Sequence, residues 1–241
     1  MSRHILPVLI ANDLDPFFAI EIIMLFAVLI ANYSVISLLG FYPGSTQIDV
    51  EALSISMVKA AYIPFILILT MVIYAIASSM ENGRFLTYIS FPYSPGRVTS
   101  YMFAYSVIYP GILVTAVFTL DSWAFSFSTW LLVPTDLLYY TLCFSTMFVG
   151  IGLFLAVLTR NSILASGIPG SFYVFILPTT IGNNVDSALE YAVAGLYTLK
   201  AGSLATTSYI IGGIFEVVMG LILFAASLVI VRKMNLKATR R

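Results

Sequence analysis

Long apolar stretches alternate with short polar ones along this chain. Six of the apolar stretches have about 20 residues or more, the length that a helix needs to cross a hydrocarbon core of roughly 30 Å. They cover residues 17–40, 57–80, 98–120, 131–158, 163–181 and 206–231. The pattern therefore predicts an all-α, polytopic membrane protein with six transmembrane helices, in which residues 1–241 form a single transmembrane domain.

The two ends of the chain differ from the spans. Residues 1–16 place apolar side chains such as Ile5 and Leu9 beside polar ones, which is typical of a helix lying in the membrane interface. A disordered N-terminus is the alternative interpretation. Residues 232–241 form a basic tail.

The basic residues predict an orientation in the membrane. If both termini are cytoplasmic, one side of the membrane holds Arg3, Arg84, Arg97, Arg160, Arg232, Lys233, Lys237, Arg240 and Arg241. Lysine and arginine favour cytoplasmic loops. We therefore predict a multi-pass protein of the cell membrane with both termini in the cytoplasm.

Composition supports the membrane interpretation and excludes several function classes. The chain is 60% hydrophobic and only 9% charged, whereas a soluble domain has roughly 25% charged residues. His4 is the only histidine and Cys143 the only cysteine, so one chain offers no multi-histidine or cysteine-based metal site. No phosphate-binding glycine motif is present. We expect no enzyme activity, no cofactor and no nucleic-acid partner for this chain alone.

A short amphipathic helix is predicted after the second span. Phe85, Leu86 and Ile89 recur at helical spacing and give it one apolar stripe. Glu81 is expected in its first turn, where a carboxylate complements the helix dipole. Pro92 cannot continue a helix, so the segment forms a discrete unit on the cytoplasmic side.

This segment, together with the six-span layout, resembles the membrane subunits of type-2 ABC exporters. The residues that carry the resemblance are Glu81, Gly83, Phe85, Leu86, Ile89 and Pro92, and Arg84 lies among them in the predicted ATPase-coupling segment. The resemblance implies a coupling helix that binds a cytoplasmic ABC ATPase, which itself binds ATP and Mg. It also implies a second permease subunit, in a homodimer or heterodimer. A helix that only lies on membrane lipid headgroups is the alternative for this segment.

A substrate path is predicted at the dimer interface, near spans one, two and five. Glu21 and Asn32 share one face of span one, about three helical turns apart. The aromatic residues Tyr33, Phe172 and Phe175 would form a constriction, with ordinary interhelical packing as the alternative. The sequence shows only apolar walls, so the substrate is expected to be hydrophobic or amphipathic.

Glu216 is the second acidic residue predicted inside a span. Gly212 and Gly220 lie four residues before and after it, so all three share a face that another helix can approach closely. A carboxylate is costly in lipid, and we therefore predict that Glu216 faces protein. Its role is either substrate passage or assembly.

The fifth span contains residues that interrupt helices. Gly167, Pro169, Gly170 and Pro178 predict a bent or broken helix. Residues 185–203 are predicted either to dip into the outer interface or to form an ordinary outer loop.

The sequence thus predicts the permease subunit of an ATP-driven exporter. An ATP-independent secondary transporter or channel is one alternative, although Glu21 and Glu216 have no basic partner at similar depth. A membrane scaffold protein is the other alternative.

Overall fold

The described part of the chain is entirely helical apart from short connections. The computed structural model describes residue 23 and residues 50–85, 94–125, 134–172 and 207–238. Its helices are α1 (Val50–Glu81), α2 (Pro95–Phe125), α3 (Pro134–Thr159), α4 (Ser162–Ser171) and α5 (Thr207–Ala238). The all-α class is confirmed for these residues.

The helix bounds follow the apolar stretches closely. Helices α1 and α2 contain the predicted spans 57–80 and 98–120, and α5 contains nearly all of 206–231. Helix α3 begins three residues after the start of the predicted span 131–158 and ends one residue after its end. The first predicted span and the interfacial helix at residues 1–16 lie outside the described residues, so the count of six stays a prediction.

Two described helices are long and apolar enough to span a membrane. The qualifying segments are Thr141–Thr159 of α3 and Gly212–Lys233 of α5. The α3 segment is 67% buried inside the protein, whereas the α5 segment is only 22% buried. These helices indicate a membrane location, and the exposed apolar surface of α5 suits contact with lipid.

Helix α3 is the centre of the bundle, because it packs against each of the other four helices. Phe144 of α3 packs against Phe65 of α1, with ring centroids 5.5 Å apart. On the α2 side, the hydroxyls of Thr115 and Thr141 are 3.1 Å apart. Large, fully buried apolar side chains are Ile66, Ile68, Leu69, Ile73, Phe144, Phe148 and Leu153.

Helices α3 and α5 touch backbone to backbone. A Cβ atom on Gly150 would lie 2.6 Å from the carbonyl oxygen of Gly220, and one on Gly220 would lie 2.9 Å from Met147 Cα. Both distances are shorter than real contacts allow, so each position requires glycine. The prediction that a helix approaches closely at Gly220 is confirmed.

Helix α4 follows α3 after a connection of two residues. Arg160 has a φ of 52°, a left-handed conformation that ends α3. Asn161 then caps α4, since its side-chain oxygen accepts a hydrogen bond of 3.0 Å from the Leu164 amide. The chain reverses sharply here, which brings α4 beside α1: a Cβ on Gly170 would lie 2.8 Å from Thr70 Oγ1.

The predicted break in the fifth span is absent from its described part. Helix α4 runs through Gly167, Pro169 and Gly170 and ends at Ser171. Phe172 continues with a π-type hydrogen-bond pattern. The helix is therefore not broken at these three residues. The predicted bend stays a prediction, and Pro178 and residues 185–203 lie outside the described residues.

Candidate functional site

The end of α1 is joined to the start of α4 by one carboxylate. The backbone N–H of Ser162 donates a 3.0 Å hydrogen bond to Glu81 Oε2. Ser162 is the first residue of α4, so its N–H has no partner within that helix. Glu81 therefore supplies an acceptor to the positive end of a neighbouring helix, which is a favourable place for a carboxylate.

Hydrogen bonding also affects the ionisation of this carboxylate. Hydrogen bonds from the Ser162 side chain, and then from its backbone amide, lower the pKa of Glu81 below its ordinary value of 4.5, against a smaller opposing effect of desolvation. Glu81 is thus ionised at neutral pH, and the contact with α4 is charge-assisted.

The position of Glu81 differs from the one predicted. Glu81 is the last residue of α1 and not part of the first turn of a separate helix. The chain turns at Asn82 and Gly83, where Gly83 has a φ of 74°, and becomes helical again at Arg84. The prediction that Glu81 complements the dipole of the coupling helix is wrong, because the helix it caps is α4.

Phe85 also differs from the prediction. Its side chain is only 5% exposed, so it is buried within this chain. The expectation that Phe85 belongs to an apolar stripe exposed to a partner is therefore wrong for the single chain. Leu86, Ile89 and Pro92 lie outside the described residues, and Arg84 is exposed beside the turn.

The arginines of the described helices gather at the same end of the bundle as Glu81. Arg160 lies two residues before Ser162, the residue of α4 that contacts Glu81. The Arg232 guanidinium of α5 lies against Gly96 at the start of α2, 3.5 Å from the position of a Cβ there. The exposed basic residues at this end are Arg84, Arg97, Arg160, Arg232 and Lys233. This asymmetry matches the predicted cytoplasmic side.

Glu216 lies in the interior of the bundle. Its side chain is 0% exposed, and neither carboxyl oxygen has a hydrogen-bond partner among the described residues. The prediction that Glu216 faces protein is confirmed. Its predicted roles in substrate passage or assembly stay predictions.

Two polar side chains of α3 lie near Glu216. Tyr139 and Cys143 share a hydrogen bond, and both are within electrostatic range of the Glu216 carboxyl. The Tyr139 hydroxyl also packs on α5, 2.6 Å from the position of a Cβ on Gly213. Glu216 is therefore held between two close approaches of α3 and α5, one at Gly213 and one at Gly220.

The predicted substrate path cannot be assembled from the described residues. Glu21, Asn32, Tyr33 and Phe175 lie outside them. Phe172 follows α4 directly and is half-buried. The path near spans one, two and five stays a prediction.

Some residues of these sites had weak signals in the sequence. Asn161 before an apolar helix is a typical N-cap, so the start of α4 was recognisable. The contact between Ser162, at this start of α4, and Glu81 was not recognisable in the sequence, because the two residues are 81 positions apart. Tyr139 and Cys143 gave no signal, since each resembles an ordinary apolar packing residue in a span.

Comparison with known proteins gave no match: no family model fits this chain, and no curated protein or solved structure is similar to it. The function must be inferred from the chain's own residues.

Proposed function

We propose that this chain is the permease subunit of an ATP-driven exporter that moves a hydrophobic or amphipathic substrate outward. A cytoplasmic ABC ATPase binds the segment that begins at Glu81 and supplies ATP and Mg. A second permease subunit completes the transporter. The chain is a multi-pass protein of the cell membrane with both termini cytoplasmic.

The observation that carries this proposal is the hydrogen bond between Glu81 and Ser162. A coupling segment must pass a displacement to helices that line a path. Glu81 is rigidly part of α1, and its carboxylate holds the first residue of α4. A partner that moves the turn at Gly83 therefore moves the ends of both helices together.

The location of the contact supports the same proposal. Arg84 is exposed beside the Gly83 turn, at the basic end of the bundle. Since basic ends favour the cytoplasm, the segment is available to a cytoplasmic protein. Because Phe85 is buried within the chain, the proposed contact with the ATPase uses the polar side of the segment, next to Arg84, and not the apolar stripe.

Charge reversal at Arg84 tests the proposal. The tagged chain is purified from native membranes in mild detergent, and bound proteins with a phosphate-loop ATPase sequence are identified by mass spectrometry. Arg97→Glu is the matched control, because Arg97 is also exposed and lies at the same end of the bundle, outside the segment.

We expect wild type and Arg97→Glu to retain the ATPase, and Arg84→Glu to lose about nine tenths of it, a tenfold change that corresponds to about 1.4 kcal/mol. The proposal fails if wild type carries no such ATPase. It also fails if Arg84→Glu and Arg97→Glu retain it equally.

An ATP-independent secondary transporter is the second candidate, and the burial of Glu216 favours it. Intramembrane carboxylates often mark ion or proton pathways. Wild-type protein that transports in vesicles without any ATPase would support this candidate over the first.

A further inference from the structure

The environment of Glu216 does not suit a negative charge. The side chain is fully buried, and in the part of the chain that the structure describes its two oxygens have no hydrogen-bond partner. Burying an unpaired ion carries a large desolvation penalty, which proteins avoid by pairing or neutralising the group. Glu216 therefore needs either a partner or a proton.

No basic residue in the described part of the neighbouring helices is placed to pair with Glu216. On α3 the facing groups are Tyr139 and Cys143, which are both uncharged in their ordinary forms. On α5 itself, Arg232 is about 24 Å away along the helix at 1.5 Å per residue. On α2, Arg97 lies next to Gly96, at the level of Arg232.

Close packing also keeps water and ions from reaching the carboxyl. Gly213 is covered by Tyr139, and Gly220 touches the backbone of α3 at Met147 and Gly150. The backbone contact at Gly220 is tighter than any other residue type would permit, and a Cβ at Gly213 would have to displace the Tyr139 ring. Solvent can therefore reach Glu216 from this side only if α3 and α5 move apart.

We propose that Glu216 is a proton-binding site in the interface between α3 and α5. The carboxyl carries its proton while the helices are in contact. When they separate, the carboxyl O–H bond breaks, the proton passes to an entering water molecule, and the carboxylate is hydrated. Protonation and closure reverse these steps.

Proton release and helix separation are therefore linked. Because the closed interface holds a proton that the open interface releases, a higher pH favours the open interface. Only 22% of the Gly212–Lys233 segment of α5 is buried inside the protein, so α5 is not held by close packing on every side. This linkage goes beyond the proposed export function and needs no ATPase.

Cys143 provides a built-in reporter of helix separation. It is the only cysteine in the chain, it is buried, and it lies on α3 near Glu216. We propose to measure the rate at which N-ethylmaleimide modifies Cys143 in purified protein in lipid vesicles. Wild type is compared with Glu216→Gln, which keeps the shape of the side chain but cannot ionise.

Both proteins contain the same thiol, which reacts as the thiolate, so the ratio of the two rates removes its ordinary titration. A negative charge on the nearby Glu216 would disfavour the thiolate and slow the reaction of wild type, so it cannot produce the expected result. We expect wild type and Glu216→Gln to react at equal rates at about pH 6. At about pH 9, which is well above the pKa range of ordinary carboxyl groups, we expect wild type to react about tenfold faster than Glu216→Gln. A ratio that does not change with pH would overturn the proposal.

A second variant guards against a folding defect. Glu216→Leu fills the same space with an apolar side chain, and replacing a buried ionisable group in this way is often neutral or stabilising. If Glu216→Gln does not fold, the rate of Cys143 modification in wild type is compared with the rate in Glu216→Leu instead. The expected ratio, and the ratio that would overturn the proposal, are the same. The unfolding temperature of wild type should also fall relative to that of the variant as the pH rises. Unfolding temperatures that change equally with pH in the two proteins would contradict the linkage.

Discussion

Glu81 and Glu216 are both acidic residues of long apolar helices, yet their surroundings give them opposite properties. Glu81 is exposed and receives hydrogen bonds from Ser162 at the start of a helix, which favours its charged form. Glu216 is buried and has no hydrogen-bond partner in the described helices, which favours its neutral form. The first is suited to hold two helices together, and the second to gain or lose a proton.

The stability that Glu81 provides should depend on pH. Since its pKa is lowered in the folded protein, the contribution is fully present above the ordinary value of 4.5 and is lost as the pH falls through the lowered value. We expect the unfolding temperature of wild type to fall more steeply below pH 4.5 than that of Glu81→Gln. Thermal unfolding followed by circular dichroism measures this difference.

The control for this prediction is a double-mutant cycle with Ser162→Ala. Removing the hydroxyl leaves only the backbone N–H as a donor to Glu81. The pH-dependent difference between glutamate and glutamine should therefore be smaller in this background. An equal difference in both backgrounds would mean that Ser162 does not cause it.

At the scale of elements, the crossing of α3 and α5 depends on glycine. Adding a methyl group at Gly220 places it against the backbone of Thr146 and Met147, which cannot turn aside as a side chain can. We expect Gly220→Ala to destabilise the protein by about 1–3 kcal/mol, as overpacked cores do. Urea unfolding of the purified protein in detergent measures the change.

Gly167 offers a matched control for Gly220. It also lies within a helix, but a Cβ there meets nothing within 4 Å. Alanine is a better helix former than glycine, so Gly167→Ala should be neutral or stabilise by up to about 1 kcal/mol. Equal destabilisation by both substitutions would show that helix crossing is not the cause.

The helices were predictable from the sequence because their apolar stretches are long and clearly bounded. Helices α1, α2, α3 and α5 all follow predicted spans. The small residues beside Glu216 also predicted a close helix approach, which Gly220 makes. These signals are local, and a single helix carries each of them.

The contacts between distant residues were not predictable in the same way. Glu81 looked like the start of a helix because Gly83 and Arg84 follow it, but α1 continues to Glu81 and uses its carboxylate on α4. Phe85 fitted an exposed stripe by spacing, yet tertiary packing buries it. Periodicity shows which residues share a face but not what covers that face.

At the scale of the whole molecule, the charge distribution predicts orientation. Of the basic residues in the described helices, Arg97, Arg160 and Arg232 lie at one end of the bundle, and Lys59 lies in the half of α1 away from that end. Asp121 and Asp136 lie near the opposite end, close to the end of α2 and the start of α3. The positive-inside rule then assigns the arginine end to the cytoplasm.

Single cysteines test this orientation. Intact cells that produce Arg97→Cys or Asp121→Cys, each in a Cys143→Ala background, are treated with a maleimide reagent that cannot cross the membrane. We expect labelling at position 121 only, and labelling at position 97 after the cells are permeabilised, because the two positions lie on opposite sides. Labelling of position 97 in intact cells would reverse the orientation.

The assembly of two permease subunits is the remaining expectation at this scale. Helices α1 and α4 pack together at Thr70 and Gly170. On these two helices the exposed apolar side chains are Leu67, Tyr74, Ile163, Leu164 and Ile168. An apolar surface made by α1 and α4 fits the expected dimer interface near spans one, two and five, although it also suits lipid.

Cross-linking tests whether a second subunit lies at the predicted interface near spans one, two and five. Asn32 is predicted on the path-lining face of span one, and Ile222 is exposed on α5, away from α1 and α4. In a Cys143→Ala background, we expect a bifunctional thiol reagent to join two subunits through Asn32→Cys and not through Ile222→Cys. The reason is geometric, since only residues near the two-fold axis of a symmetric dimer lie close to their own copies. Gel mobility of membrane samples at several reagent lengths measures the yield.

A cross-link at position 222 without one at position 32 would place the interface on α5 instead, and no cross-link at either position would argue for a surface covered by lipid.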